Sequence, residues 1–110
     1  KNSSGECECT IYVLNTAGLK SWNLPRVTGV PPTARHSHSA TIIDNKLYLF
    51  GGYGGRFLND WFVLNCGTFA WSQPRMTGIQ PLPRSGHTST PVGPNIYLFG
   101  GCYLTKAFND

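Results

Sequence analysis

His36-Ser37-His38 invites a chemical reading first, because two imidazoles one residue apart can share a metal ion. His87 recurs 49 residues after His38. Residues at one place in successive units face similar surroundings, whereas a reactive centre needs different residues converging on a point. The recurrence therefore favours a structural hydrogen-bonding role. Cys7-x-Cys9 offers two soft ligands, with Cys66 and Cys102 further along, but the paired spacing of a zinc site is missing. Gly51-Gly52-Tyr53-Gly54-Gly55 has the glycine content of a phosphate-cradling loop, yet no helix pattern follows it and no Gly-Lys-Ser/Thr stands there. Asp60 and Asp110 each follow an asparagine just before an apolar or terminal stretch. They read as caps on turn backbone, not as paired carboxylates flanking one bond. The sequence assigns no catalytic residue, no metal ligand and no cofactor.

The elements that must position these residues repeat. Lys46-Leu47-Tyr48-Leu49-Phe50-Gly51-Gly52 returns as Asn95-Ile96-Tyr97-Leu98-Phe99-Gly100-Gly101. Trp22 falls on Trp71, Pro25-Arg26 on Pro74-Arg75, Thr28-Gly29 on Thr77-Gly78, Arg35 on Arg84 and His38 on His87. Between 22–52 and 71–101, fourteen of thirty-one positions are identical without a gap, so the chain is built from a unit of about 50 residues. Repetition of both Gly-Gly pairs marks positions that need a positive φ or a close backbone approach.

Composition agrees with short strands. Thirteen glycines and eight prolines interrupt the chain too often for long helices, while 40% apolar residues supply a core. The +4 formal charge comes from singly spread cations and forms no stripe, which argues against a nucleic-acid partner. No apolar run is long enough to span a membrane. Four cysteines at these spacings suit free thiols in a cytoplasmic or nuclear protein better than a disulfide framework. Asn2-Ser3-Ser4 fits the glycosylation pattern, which matters only for a secreted chain. With no initiating Met or signal peptide, the N-terminus reads as a cut through a longer chain.

The strands expected are Thr10–Leu14, Leu19–Leu24, Arg35–Ile43, Lys46–Phe50, Asp60–Asn65 and Phe69–Ser72, with Asp44-Asn45 as a two-residue hairpin turn. Lys46–Phe50 is apolar on both faces and should be covered on both. Tyr53 to Asn59 is expected to be loop. Pro91 and Pro94 are expected to shorten the second copy of the first hairpin. Residues 1–9 form a polar lead-in and 10–110 the repeats: 10–34 the end of one unit, 35–75 a complete unit, 84–110 the start of the next.

Four strands per unit at this period make a propeller blade. The pattern of Arg35 and His38, Tyr48 to Gly52, Asp60 and Trp71, repeated at Arg84 and His87, Tyr97 to Gly101 and Asp110, resembles the kelch repeat. The resemblance implies an all-β fold with four-stranded antiparallel blades: half a blade, one whole blade, half a blade. Two blade-equivalents do not close a ring, so the remaining blades must come from a longer chain or from further copies, and the former is favoured.

Function is expected where the repeats differ. The strands agree, but the loops Tyr53 to Leu58 and Cys102 to Phe108 do not. Tyr53, Arg56, Phe57, Tyr103 and Lys106 are aromatic or cationic residues of the kind found at interaction hot spots. The repeated Arg26, Arg75, Arg35 and Arg84 suit packing or loop-locking hydrogen bonds, with a place on a binding face as the alternative. The resemblance implies a role as scaffold, ubiquitin-ligase substrate adaptor, cytoskeletal binder or small-GTPase effector, so the expected partner is a protein of unstated identity. The alternatives are a structural component of a larger assembly, or part of a propeller metalloenzyme resembling copper-radical oxidases or iron-dependent lyases.

Overall fold

The computed structural model describes residues 7–110. Alternating apolar residues between glycine- and asparagine-rich turns give an all-β fold, and among the described residues ten strands pair only antiparallel. β1 (Val13–Asn15) and β2 (Ser21–Asn23) form a first two-stranded sheet. β3 (Ser39–Ile43), β4 (Lys46–Tyr53), β5 (Phe57–Asn65) and β6 (Ala70–Ser72) form a four-stranded sheet in sequential order. β7 (Thr88–Val92) and β8 (Asn95–Phe99) start the next sheet, and β9 (Cys102–Tyr103) with β10 (Lys106–Ala107) make a short hairpin beyond the second Gly-Gly. The arrangement is half a blade, a whole blade and half a blade, and it leaves the ring open.

The whole sheet is covered on both faces, as its central strand requires. On one face Leu49, Phe62, Leu64 and Trp71 cluster, with Ile11 of the first half-blade and Leu47 against them. On the other face Phe50 stacks on Trp61 at 4.5 Å and meets the edge of His87 at 5.3 Å, so the next half-blade covers it. Backbone bonds also stitch one unit to the next. Thr28 N–H donates to the Phe69 carbonyl at 3.0 Å and Trp71 N–H donates to the Thr28 carbonyl at 2.9 Å, tying the first linker to β6. Gly29 follows with φ +78°, and a Cβ there would stand 2.2 Å from the Trp71 carbonyl oxygen, so no other residue fits.

Asp44 and Asn45 both take left-handed backbone, at φ 47° and 62°, the geometry of a tight hairpin turn made without glycine. Three expectations need correction. Tyr53 to Asn59 is not a loop: β4 runs through Gly51-Gly52 to Tyr53 and β5 starts at Phe57, leaving Gly54-Gly55-Arg56 as the turn. A register shift between Phe50 and Gly52 lets the strand bend there without ending. The stretch from Arg35 is not continuously extended, because Ser37 takes φ 57° and β3 begins only at Ser39. Pro91 does not shorten its strand: β7 has five residues, as β3 has, since an edge strand makes no ladder bonds on one side and tolerates a missing N–H.

Candidate interaction rim

Two buried arginines fix the loop end of the blades. Arg35 Nε donates to the Thr33 carbonyl at 3.0 Å, and Nη1 donates to the Gly51 carbonyl at 3.1 Å. The same Nη1 also donates to Asp60 Oδ1, and Nη2 donates to Oδ2 at 3.1 Å, so the fork grips both carboxylate oxygens. Arg84 repeats this one unit later, donating from Nε to the Leu82 carbonyl and from Nη1 to the Gly100 carbonyl and to Asp110 Oδ1, each at 3.1 Å. A buried guanidinium needs all these acceptors, and the bidentate fork suits a carboxylate. Asp60 and Asp110 therefore do not cap turn backbone with their side chains. They neutralise the arginines that lock the linker to the Gly-Gly strand. Arg35 and Arg84 each hold a linker carbonyl and a Gly-Gly carbonyl at once, and the sequence signal for their carboxylate partners is the joint recurrence of arginine and aspartate one unit later.

The glycines sit against this lock. Gly51 and Gly52 have φ 65° and 100°, and Gly100 and Gly101 have 77° and 87°. A Cβ on Gly52 would lie 2.7 Å from the His36 carbonyl oxygen, which is why the linker can lie directly on the strand. His36 and Tyr53 exchange backbone bonds at 3.0 and 2.9 Å, and Ser85 and Cys102 do the same one unit later. His87 is buried, with Nε2 hydrogen-bonded to Ser39 Oγ at 2.8 Å across the blade interface and Nδ1 without a partner. Burial pulls its pKa below the usual imidazole value. Thr41 and Ser89 hydroxyls are bonded across the same interface. His38, at the equivalent place one unit earlier, is exposed. Among the described residues no three of His, Cys, Asp and Glu stand close enough together to hold a metal.

The five predicted residues lie on two hairpins that extend from this locked frame. Tyr53 and Phe57 are cross-strand partners in the first hairpin, with ring centroids 5.1 Å apart. Tyr103 and Lys106 are cross-strand partners in the second hairpin. Phe57 meets Tyr103 at 5.1 Å, which joins the two hairpins, and His36 extends the line beyond Tyr53 at 5.8 Å. The result is a run of rings, His36–Tyr53–Phe57–Tyr103, crossing from one blade to the next. Arg56 stands exposed at the tip of the first hairpin, and Lys106 is exposed in the second with its ammonium 5.5 Å from the Phe108 ring. The sequence presents His36 only as a candidate metal ligand; its place in this run follows from its backbone bridge to Tyr53, which no local pattern announces.

A rigid antiparallel blade with a second joined to it, each carrying a loop hairpin on one end, defines a β-propeller segment whose variable surface is a rim of loops. A family model described as the KLHDC2/KLHL20/DRC7 Kelch-repeats domain matches residues 1–110. The chain belongs to the kelch-repeat family. It is 47% identical over 45 residues to acyl-CoA-binding domain-containing protein 5 of Arabidopsis thaliana, covering 40% of this chain and 7% of that protein. It is 34% identical over 64 residues to the Rab9 effector protein with kelch motifs of Danio rerio, covering 57% of this chain and 18% of that one. Host cell factor 1 of Rattus norvegicus is 40% identical over 58 residues, covering 51% of this chain and 3% of that protein. The chain thus spans less than a fifth of the length of each of these relatives.

Proposed function

We propose that this chain is a protein-interaction segment of scaffold or substrate-adaptor type, binding its partner through the rim formed by Tyr53, Arg56, Phe57, Tyr103 and Lys106. The carrying observation is the Phe57–Tyr103 contact at 5.1 Å, which turns two separate hairpins into one continuous aromatic surface. Aromatics held by cross-strand pairing lose little conformational freedom on binding, which suits them as anchors. Relatives whose names include an effector and a host cell factor support a binding role, and none of the three names is that of an enzyme. The partner is a protein or peptide, the reading is non-enzymatic, and the proposed compartment, cytoplasmic or nuclear, rests on the cysteine spacing in the sequence. Alanine at Tyr53 and at Arg56 tests the site directly: each is expected to weaken a bound partner, Tyr53→Ala by roughly tenfold or more. Unchanged affinity in both would remove this hairpin from the site.

A further inference from the structure

We infer that the rim takes an acidic segment of a protein, one that places an apolar side chain on the aromatic run and carboxylates at its flanks. The inference rests on the rim being the binding surface, and it adds the chemistry of what binds. The basis is a charge balance particular to this end of the molecule. Its two nearest carboxylates are already committed, Asp60 to Arg35 and Asp110 to Arg84, so these four groups sum to no net charge. What remains is Arg56 on one hairpin and Lys106 on the next, neither ion-paired among the described residues. The two occupy matching places: Arg56 precedes Phe57-Leu58-Asn59-Asp60, and Lys106 precedes Ala107-Phe108-Asn109-Asp110. One cation therefore stands at the matching position of each loop hairpin.

The other acids among the described residues lie elsewhere. Asp44 is in the turn at the opposite end of β4, roughly 25 Å away at about 3.3 Å per residue. Glu8, in the lead-in, lines a cleft with Arg35, His38, Leu49 and Trp71 and pairs with neither Arg56 nor Lys106 among the described residues. A basic partner would meet two like charges with no free carboxylate on the rim to offset them, and a neutral one would leave both cations unused. An acidic segment gains attraction at both hairpins and a faster encounter. The exposed Tyr103 and the half-buried Tyr53 and Phe57 supply the apolar contact that charge alone does not.

Random-peptide display on the 110-residue chain tests this, using the selected peptides themselves as probes against wild type, an Arg56→Glu/Lys106→Glu variant and a Tyr53→Ala/Tyr103→Ala variant. Both cations are exposed, so the charge-reversed variant is expected to melt as wild type does. The expected peptides carry an excess of Asp and Glu around an apolar residue, bind the charge-reversed variant roughly tenfold more weakly, and lose affinity as salt rises. Neutral or basic peptides that need Tyr53 and Tyr103 but ignore the charge reversal would overturn the acidic class and leave the rim standing. Peptides indifferent to both variants would overturn the rim itself, and the absence of any selected peptide would overturn both.

Discussion

Trp71 and Trp22 hold the same place in successive units, yet Trp71 is 5% exposed and Trp22 67%. Phe50 is fully buried while Phe99 is 59% exposed. The residue types repeat and their surroundings do not. Trp71 is covered because the preceding half-blade lays Ile11 and the Thr28 linker against it. Phe50 is covered because its own third strand supplies Trp61 and the next half-blade supplies His87. In the outer units these neighbours are missing among the described residues, so the same side chain is left facing solvent. In a repeat protein a side chain contributes stability through the unit beside it as much as through its own strand.

Paired substitutions separate the two environments, the urea midpoint of each measured against wild type. Phe50→Ala is expected to cost about 4 kcal/mol, against less than about 1 kcal/mol for Phe99→Ala. Equal costs would mean that burial in the whole blade does not set the difference. Asp60→Ala leaves the buried Arg35 without its carboxylate and should cost about 3 kcal/mol. Asp110→Ala, at a far more exposed carboxylate, should cost about 1 kcal/mol or less. Gly29→Ala drives a Cβ into the Trp71 carbonyl, whereas Gly78 has open space around it and only its φ of 84° to oppose a side chain. A melting difference of roughly 1–2 kcal/mol between those two variants is therefore expected, with Gly29→Ala the worse.

The smallest effect concerns pH. Because burial holds the pKa of His87 below its unfolded value, the folded chain binds fewer protons at this site than the unfolded one. Its stabilising contribution is present above the ordinary imidazole pKa of about 6.5 and is lost as pH falls from there through the lowered folded value. A His87→Gln variant should flatten the stability profile on the acid side. His38→Gln, at the exposed counterpart, is expected to produce the smaller change of the two.

The repeated unit, its strand count and the Asp44-Asn45 turn were legible in the sequence, because each rests on local patterns or on copies in register. The limits of β4 and β5 were not. Glycine was read as a stop, whereas here two glycines let a linker lie on a continuing strand, and that linker is distant in sequence. The Arg35–Asp60 pair joins residues 25 positions apart and leaves no local trace. Of the rim, the residue types were legible and the contact that unites them was not, since Phe57 and Tyr103 belong to different units.

The central claim is that two hairpins form one binding surface, and a double-mutant cycle on Phe57→Ala and Tyr103→Ala tests it most directly. Binding of one rim-selected peptide would be measured for wild type, both single variants and the double variant, with melting of each as the folding control. One surface predicts that each single variant weakens binding and that the double variant loses clearly less than the sum, with a coupling of about 0.5–1.5 kcal/mol. Strictly additive losses, or a loss confined to one hairpin, would contradict it.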